Sequence, residues 1–113
     1  AYAFRSLRES GAVLAFGSDA PVETMNPWKG VHAAVTRQRP GGFPAGGWYP
    51  EQRLSVEETL EAYCVGPALA SGEAGERGRI APGMRADMAV LTGDPLRSAP
   101  EDLHAITATM TLV

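Results

Sequence analysis

The chain holds a single cysteine, Cys64. A lone thiol excludes an internal disulfide framework and any multi-cysteine zinc knuckle, and it fits a reducing compartment. Histidine is nearly as scarce, with only His32 and His104. Charge of one sign is not concentrated anywhere. The net charge is −3 and no stretch gathers Lys or Arg, which argues against a nucleic-acid partner. No apolar run approaches membrane-spanning length, and the first residues lack a signal-peptide layout. These absences lead us to expect a cytoplasmic protein without membrane contact. Internal repeats, phosphate loops, nucleophile elbows and dinucleotide motifs are also missing.

What remains is ordinary globular composition: 113 residues, 44% hydrophobic and 20% charged. That is enough for one small domain with a modest core. Thirteen glycines and nine prolines sit at turns between elements. The chain opens inside a helix-like pattern and closes inside a strand-like one, so both ends read as cut.

The pattern is organised around Val13-Leu14-Ala15-Phe16-Gly17-Ser18-Asp19-Ala20-Pro21-Val22. Its unbroken apolar start predicts a strand over Val13–Gly17 buried on both faces. Such a strand delivers Asp19 to its C-terminal end, where α/β folds build their sites. Pro21 turns the chain away. On spacing alone, an Asp that merely starts an Asx-turn is the simpler reading.

Ala1–Ser10 reads as the second half of a helix, with Phe4 and Leu7 on one face and Gly11 as its stop. Asn26-Pro27 predicts the cap and first position of a helix running to about Gln38. Trp28, Val31 and Val35 form its stripe. His32 lies beside that stripe with no second ligand at helical spacing, so it reads as a surface or boundary residue. Arg37 and Arg39 suit the negative end of the helix, and holding an anion is a weaker use of them. Residues 39–53 form a Gly/Pro loop with Phe43, Trp48 and Tyr49, which either meet a partner or fold back on the chain.

Ser55 and Glu58 have the spacing of a capping box. Val56, Leu60 and Tyr63-Cys64 form the stripe of the helix that follows. Cys64 thus reads as a core thiol rather than a nucleophile. Gly66-Pro67 predicts a break, with a short restart ended by Gly72. From Gly75 onwards the texture is β: a strand at Gly78–Ala81, a type II turn at Ala81-Pro82-Gly83-Met84, and a strand at Ala86–Leu91. A half-buried strand at Ile106–Val113 completes a small antiparallel sheet, with no helix between the strands. Asp87 and Asp94 read as acids that satisfy backbone donors of turns.

Two of these motifs resemble one family. Phe16-Gly17-Ser18-Asp19-Ala20-Pro21-Val22 resembles the last barrel strand of the metal-dependent amidohydrolases, especially amidohydrolase family 3 (YtcJ-like). Gly78-Arg79-Ile80-Ala81-Pro82-Gly83-Met84-Arg85-Ala86-Asp87-Met88-Ala89-Val90-Leu91 resembles the signature leading into that superfamily's C-terminal sandwich. The Asn26-Pro27 helix ending in Thr36-Arg37, and the Leu54-Ser55-Val56-Glu57-Glu58 helix, follow in the family's order.

The resemblance implies an α/β fragment: the last β/α unit of a (β/α)8 barrel plus part of a small antiparallel β-sandwich. Residues 1–72 would be the end of the barrel domain and 73–113 part of the sandwich. It implies hydrolysis of non-peptide amide or cyclic amide C–N bonds in a small-molecule substrate. One or two divalent metals, zinc first among them, would serve as cofactor. Asp19 would be both metal ligand and catalytic acceptor of the proton from the attacking water. A barrel of this type needs about 250 residues, and the family's other ligands have no counterpart here. The resemblance therefore places those ligands in the remainder of the barrel or in a companion chain, with the fragment inactive alone. Two other readings stay open: a non-catalytic interaction module using Trp48-Tyr49, and a subunit completing a barrel with another chain. A homo-oligomer is compatible with each.

Overall fold

The strongest local signals in the sequence set the helices. In the computed structural model, which describes residues 2–113, the Ser55 hydroxyl accepts from Glu58 N–H at 3.1 Å. Ser55 N–H donates to Glu58 Oε2 at 2.7 Å, so the capping box forms. It starts α3, Val56–Ala70, whose end Gly72 follows with φ +78°. The break at Gly66-Pro67 does not occur. Pro67 withholds one helical N–H, but Gly66 and Ala68 on either side of it are buried, and this packing outweighs the lost bond.

Upstream, α1 spans Phe4–Glu9 and α2 spans Pro27–Thr36. Asn26 Oδ1 accepts from Trp28 N–H at 3.0 Å, with Pro27 at the first position, as the pattern predicts. Arg37, in the left-handed conformation, caps α2, whose last residue, Thr36, falls two short of the predicted limit.

Glu58 also ties α1 to α3. Both its oxygens receive Arg5 guanidinium bonds at 2.7 Å, and Arg8 adds a contact at 3.2 Å. These bonds, the Ser55 N–H and the two arginine charges hold the Glu58 carboxyl at about 2, against partial burial.

Val13–Gly17 is extended but is not a strand. A strand needs a ladder, and no second strand runs beside this segment among the described residues. It lies on α3 instead. Phe16 N–H donates to the Ala62 carbonyl at 2.8 Å, and Gly66 lets the helix approach so closely that a Cβ there would overlap the Leu14 carbonyl. Leu14 and Phe16 are half-buried while Val13 and Ala15 are exposed, so one face is covered rather than two.

Gly78–Ala81 forms no strand either, and Ile80 is 84% exposed. The turn after it is as predicted, with Met84 N–H on the Ala81 carbonyl at 3.1 Å and Gly83 at φ +87°. The sheet has two antiparallel strands, β1 (Met88–Leu91) and β2 (Ala108–Leu112), paired Met88 to Leu112 with a bulge at Val90/Leu91. The half-burial expected of the last strand is absent: every β2 residue is exposed, because nothing among the described residues covers either face of it.

Between the strands runs an unexpected 3-10 helix, Pro100–Ala105. Its Leu103 is fully buried and packs with Trp28, Val31 and Ile106 to form the core. Val56, Leu60 and Tyr63 pack on that core, but Cys64 is exposed, contrary to the core-thiol reading. The result is a small α/β chain whose core draws on both sides of residue 72.

Two outcomes test this architecture. Gly66→Ala must push α3 off Leu14 and is expected to destabilise the protein by about 1–3 kcal/mol, read as a lowered denaturation midpoint. Gly75→Ala, with no atom within 4 Å of the new Cβ, is the neutral control. For Glu58, the folded carboxyl titrates near 2 and the unfolded one near 4.5. Its contribution is complete above pH 4.5 and is lost as pH falls towards 2. A Glu58→Gln protein should lack that part of the acid-induced decline in midpoint.

Candidate functional site

The extended segment ends at Ser18, and Asp19 turns the chain with φ +54°. Its backbone carbonyl closes the turn, accepting from Val22 N–H at 2.8 Å and Glu23 N–H at 3.4 Å. An Asx-turn would need the N–H two residues on, and that residue is Pro21, which has none. The Asp19 carboxylate accordingly takes no hydrogen bond or ion pair among the described residues, and the residue is exposed. It is a free acid on a backbone-locked turn.

Beside this turn opens a cavity of about 480 Å³. Gly17 and Ser18 form one wall, Glu23 and Thr24 a second, and Lys29 from the first turn of α2 a third; Arg39 and Tyr63 complete it. Asp19 follows directly on a wall residue but is not itself part of the wall. Glu23, Lys29 and Arg39 carry no sequence signal as a set, because only the turn at 19–23 and the return of the chain after α2 bring them together.

The other candidates divide clearly. Arg37 is buried and structural: it donates to the Trp48 carbonyl at 2.9 Å and the Tyr2 carbonyl at 3.1 Å. Its guanidinium lies 5.5 Å from the Phe4 ring centre and 5.2 Å from that of Trp48. Trp48 thus folds one side back on its own chain but remains 44% exposed, and Phe43 and Tyr49 are exposed as well. Asp94 does what the sequence predicts, its Oδ1 accepting from Leu96 N–H at 2.9 Å. Asp87 does not: it faces Arg77 at 3.9 Å instead of turn donors. Cys64, though exposed, borders an apolar groove between α3 and β1, and the partial desolvation there pushes its thiol up, away from nucleophilic thiolate.

His32 is the largest correction. It is not a boundary residue but 2% exposed, and its Nδ1 has no partner among the described residues. It meets His104 edge to face, with ring centres 5.2 Å apart, while His104 Nδ1 lies 2.7 Å from the Glu101 carbonyl. The two histidines are therefore not scattered. They join α2 to the 3-10 helix, and neither lines the cavity. Among the described residues no three His, Cys, Asp or Glu side chains converge to hold a metal ion. Asp19 alone fits as one oxygen ligand, not as a complete set. No helix among the described residues is long and apolar enough to cross a membrane.

An extended segment backed by a helix, ending in a free acid beside a cavity, is an arrangement found at the strand ends of α/β enzymes. Comparison with known sequences gives it a lineage. The profile of the Amidohydrolase family matches residues 1–113. The chain is 34% identical over its whole length to the amidohydrolase YtcJ of Bacillus subtilis, covering 21% of that protein. It is 33% identical to an N-substituted formamide deformylase of Arthrobacter pascens, over 96% of the chain and 20% of the relative. It is 34% identical to the LONG AFTER FAR-RED 3 protein of Arabidopsis thaliana, over 92% of the chain and 18% of the relative. No solved structure matches at comparable significance. The chain belongs to the amidohydrolase family, and it spans about a fifth of the length of these relatives.

The histidine contact has a measurable consequence. Burial lowers the His32 pKa first, the neighbouring His104 charge lowers it further, and Glu101 opposes both. The unfolded chain therefore takes up that proton first, near pH 6.5. Stability should be complete above pH 6.5 and decline below it. Denaturation midpoints between pH 7.5 and 5.5 check this, with a flatter profile expected for His32→Asn.

Proposed function

We propose that this chain is the C-terminal portion of a metal-dependent hydrolase acting on non-peptide or cyclic amide C–N bonds. In this reading residues 1–72 close a (β/α)8 barrel, and residues 73–113 contribute to a small β-sandwich beside it. Asp19 is the catalytic residue and a metal ligand, and the remaining ligands come from outside these 113 residues. The observation that carries the reading is the unengaged Asp19 carboxylate, held by its own backbone turn, in a chain matched over its whole length by the family. The formamide deformylase among the relatives supports an amide-type substrate.

Zinc is the metal that this reading favours. When bound, the ion supplies a water that is acidic near neutral pH. The part played by this chain is to hold a carboxylate oxygen at a fixed point and to receive a proton there. That role needs an acid with no competing hydrogen bonds and a rigid mount. Asp19 has both. The Val22 and Glu23 N–H groups bind its carbonyl, not its side chain.

The exposed pair Trp48 and Tyr49, with ring centres 4.8 Å apart, favours a second reading, an interaction module that keeps the family's ending without its chemistry. One experiment separates the two. In the full-length protein carrying this chain, Asp19→Asn should lower hydrolysis of an N-formyl amine by about a hundredfold or more and reduce bound zinc. An unchanged rate and metal content would leave only the module.

A further inference from the structure

Arg37 is 8% exposed, and its guanidinium is only partly provided for. Nε donates to the Trp48 carbonyl and Nη1 to the Tyr2 carbonyl, while the rings of Phe4 and Trp48 flank the cation. Nη2 is buried and has no hydrogen-bond partner among the described residues. No carboxylate among them forms an ion pair with Arg37 either. Burial accordingly pushes the Arg37 pKa down, and exposed Glu51 opposes this by its charge alone. Carbonyls and ring faces offer partial charges, whereas a buried full charge calls for a paired one. Arg37 lacks that counter-ion within the described residues.

Its surroundings define what would supply one. Arg37 lines a cavity of about 430 Å³ with Phe4, Ala15, Phe16, Ala33 and Tyr63, and it is the only charged residue of the lining. Ala15 lies on the face of the extended segment that α3 leaves open. A small anion would satisfy Nη2 but leave the aromatic and aliphatic wall wet. An apolar stretch of polypeptide carrying one acid would cover both. Such polypeptide is available, because the chain spans about a fifth of the length of its relatives.

We propose that this cavity is the docking surface for an apolar segment from outside these 113 residues, and that the segment delivers one Asp or Glu side chain to Arg37 Nη2. The proposal rests on the reading above in which further barrel segments lie beside residues 13–17, but not on the role of Asp19. The buried pair fixes the register of the incoming segment, since a shift by one residue along a strand turns its acid to the opposite face. Arg37 is then the point at which this portion is locked to the remainder.

The test uses the full-length protein carrying this chain, in a Glu51→Gln background. That background removes the one carboxylate among the described residues whose charge reaches Arg37. Denaturation midpoints of Arg37→Met are compared with those of the parent at pH 8 and pH 5. An acid left unpaired in the cavity has a raised pKa, so the folded variant takes up a proton before its unfolded chain does. The midpoint deficit should be large at pH 8 and shrink by at least half at pH 5. Every other titrating group, His32 included, is common to both proteins and cancels. Arg37→Gln keeps a donor for one of the two carbonyls and gives the same reading where Arg37→Met does not fold. No deficit at pH 8, a deficit that fails to shrink, or no folded protein from either variant at pH 5 would overturn the proposal. A second measurement separates the docking from the acid. In a Cys64→Ser background, the thiol of Ala15→Cys should resist maleimide labelling in the folded protein, read by peptide mapping. Rapid labelling sinks the barrel reading and the docking with it. Protection together with a pH-independent deficit keeps the barrel and sinks the acid pair.

Discussion

The close approach of α3 to the extended segment fixes nearly everything that matters to the site. Among the described residues no strand neighbours 13–17, and their support is the helix surface around Ala62 and Gly66. A missing side chain at Gly66 lets the Leu14 carbonyl sit against the helix, and Phe16 N–H reaches the Ala62 carbonyl. The segment cannot slide along α3 without losing both contacts. Where it ends, Ser18 and Asp19 must begin. Glu58 acts on the same assembly from the other end, clamping α1 by Arg5 and Arg8 so that the chain enters the segment from a set direction. A carboxylate bonded to two guanidinium nitrogens while closing a capping box contributes more than an isolated surface pair, which is typically worth about 0–1 kcal/mol.

Features decided within a few residues were legible in the sequence. Asn26 with Pro27, Ser55 with Glu58, the turn at Ala81–Met84 and the Asp94 turn all form, because each is a local exchange of hydrogen bonds between named groups. Features decided by a distant partner were not. Val13–Gly17 and Gly78–Ala81 have strand composition, yet composition supplies no ladder. Pro67 breaks helices that stand alone, and here flanking contacts hold the helix through it. The 3-10 helix did announce itself, through Pro100 at its first position and Glu101 and Asp102 in its first turn. The surrounding β texture hid that signal, though Leu103 is the centre of the core.

The candidate site divides along the same line. Asp19 could be singled out because a strand-end acid within a family-like motif is a one-dimensional feature. Its freedom from local bonding could also be foreseen in principle, since Pro21 withholds the N–H that an Asx-turn requires. Lys29, Arg39 and Glu23 could not be grouped, as their shared cavity exists only once α2 has packed and the chain has returned past Gln38. The histidines mislead in the opposite sense. Spacing along the helix separates His32 from any partner, and the fold then presses it against His104 in the core rather than at the cavity.

The burial pattern bears on the barrel reading in a specific way. A central parallel strand hides both faces and offers its backbone to a neighbour on each side. Residues 13–17 hide one face, against α3, and leave Val13 and Ala15 open on the other. Helix on one side and an open face with free backbone groups on the other is the state of a barrel strand when its outer layer is present and its neighbours and inner layer are not. A surface loop would carry polar residues on its open face, and this segment carries Val and Ala. The apolar run therefore makes sense as a strand whose remaining contacts lie beyond these residues, as the proposed barrel requires. The same logic extends to Ile80, an aliphatic side chain 84% exposed in a stretch of strand-like composition. Trp48 differs only in degree: one side meets Arg37 within the chain, and the residue is still 44% exposed. Apolar surface thus stands open both at the two segments of strand composition and at Phe43, Trp48 and Tyr49 of the aromatic loop.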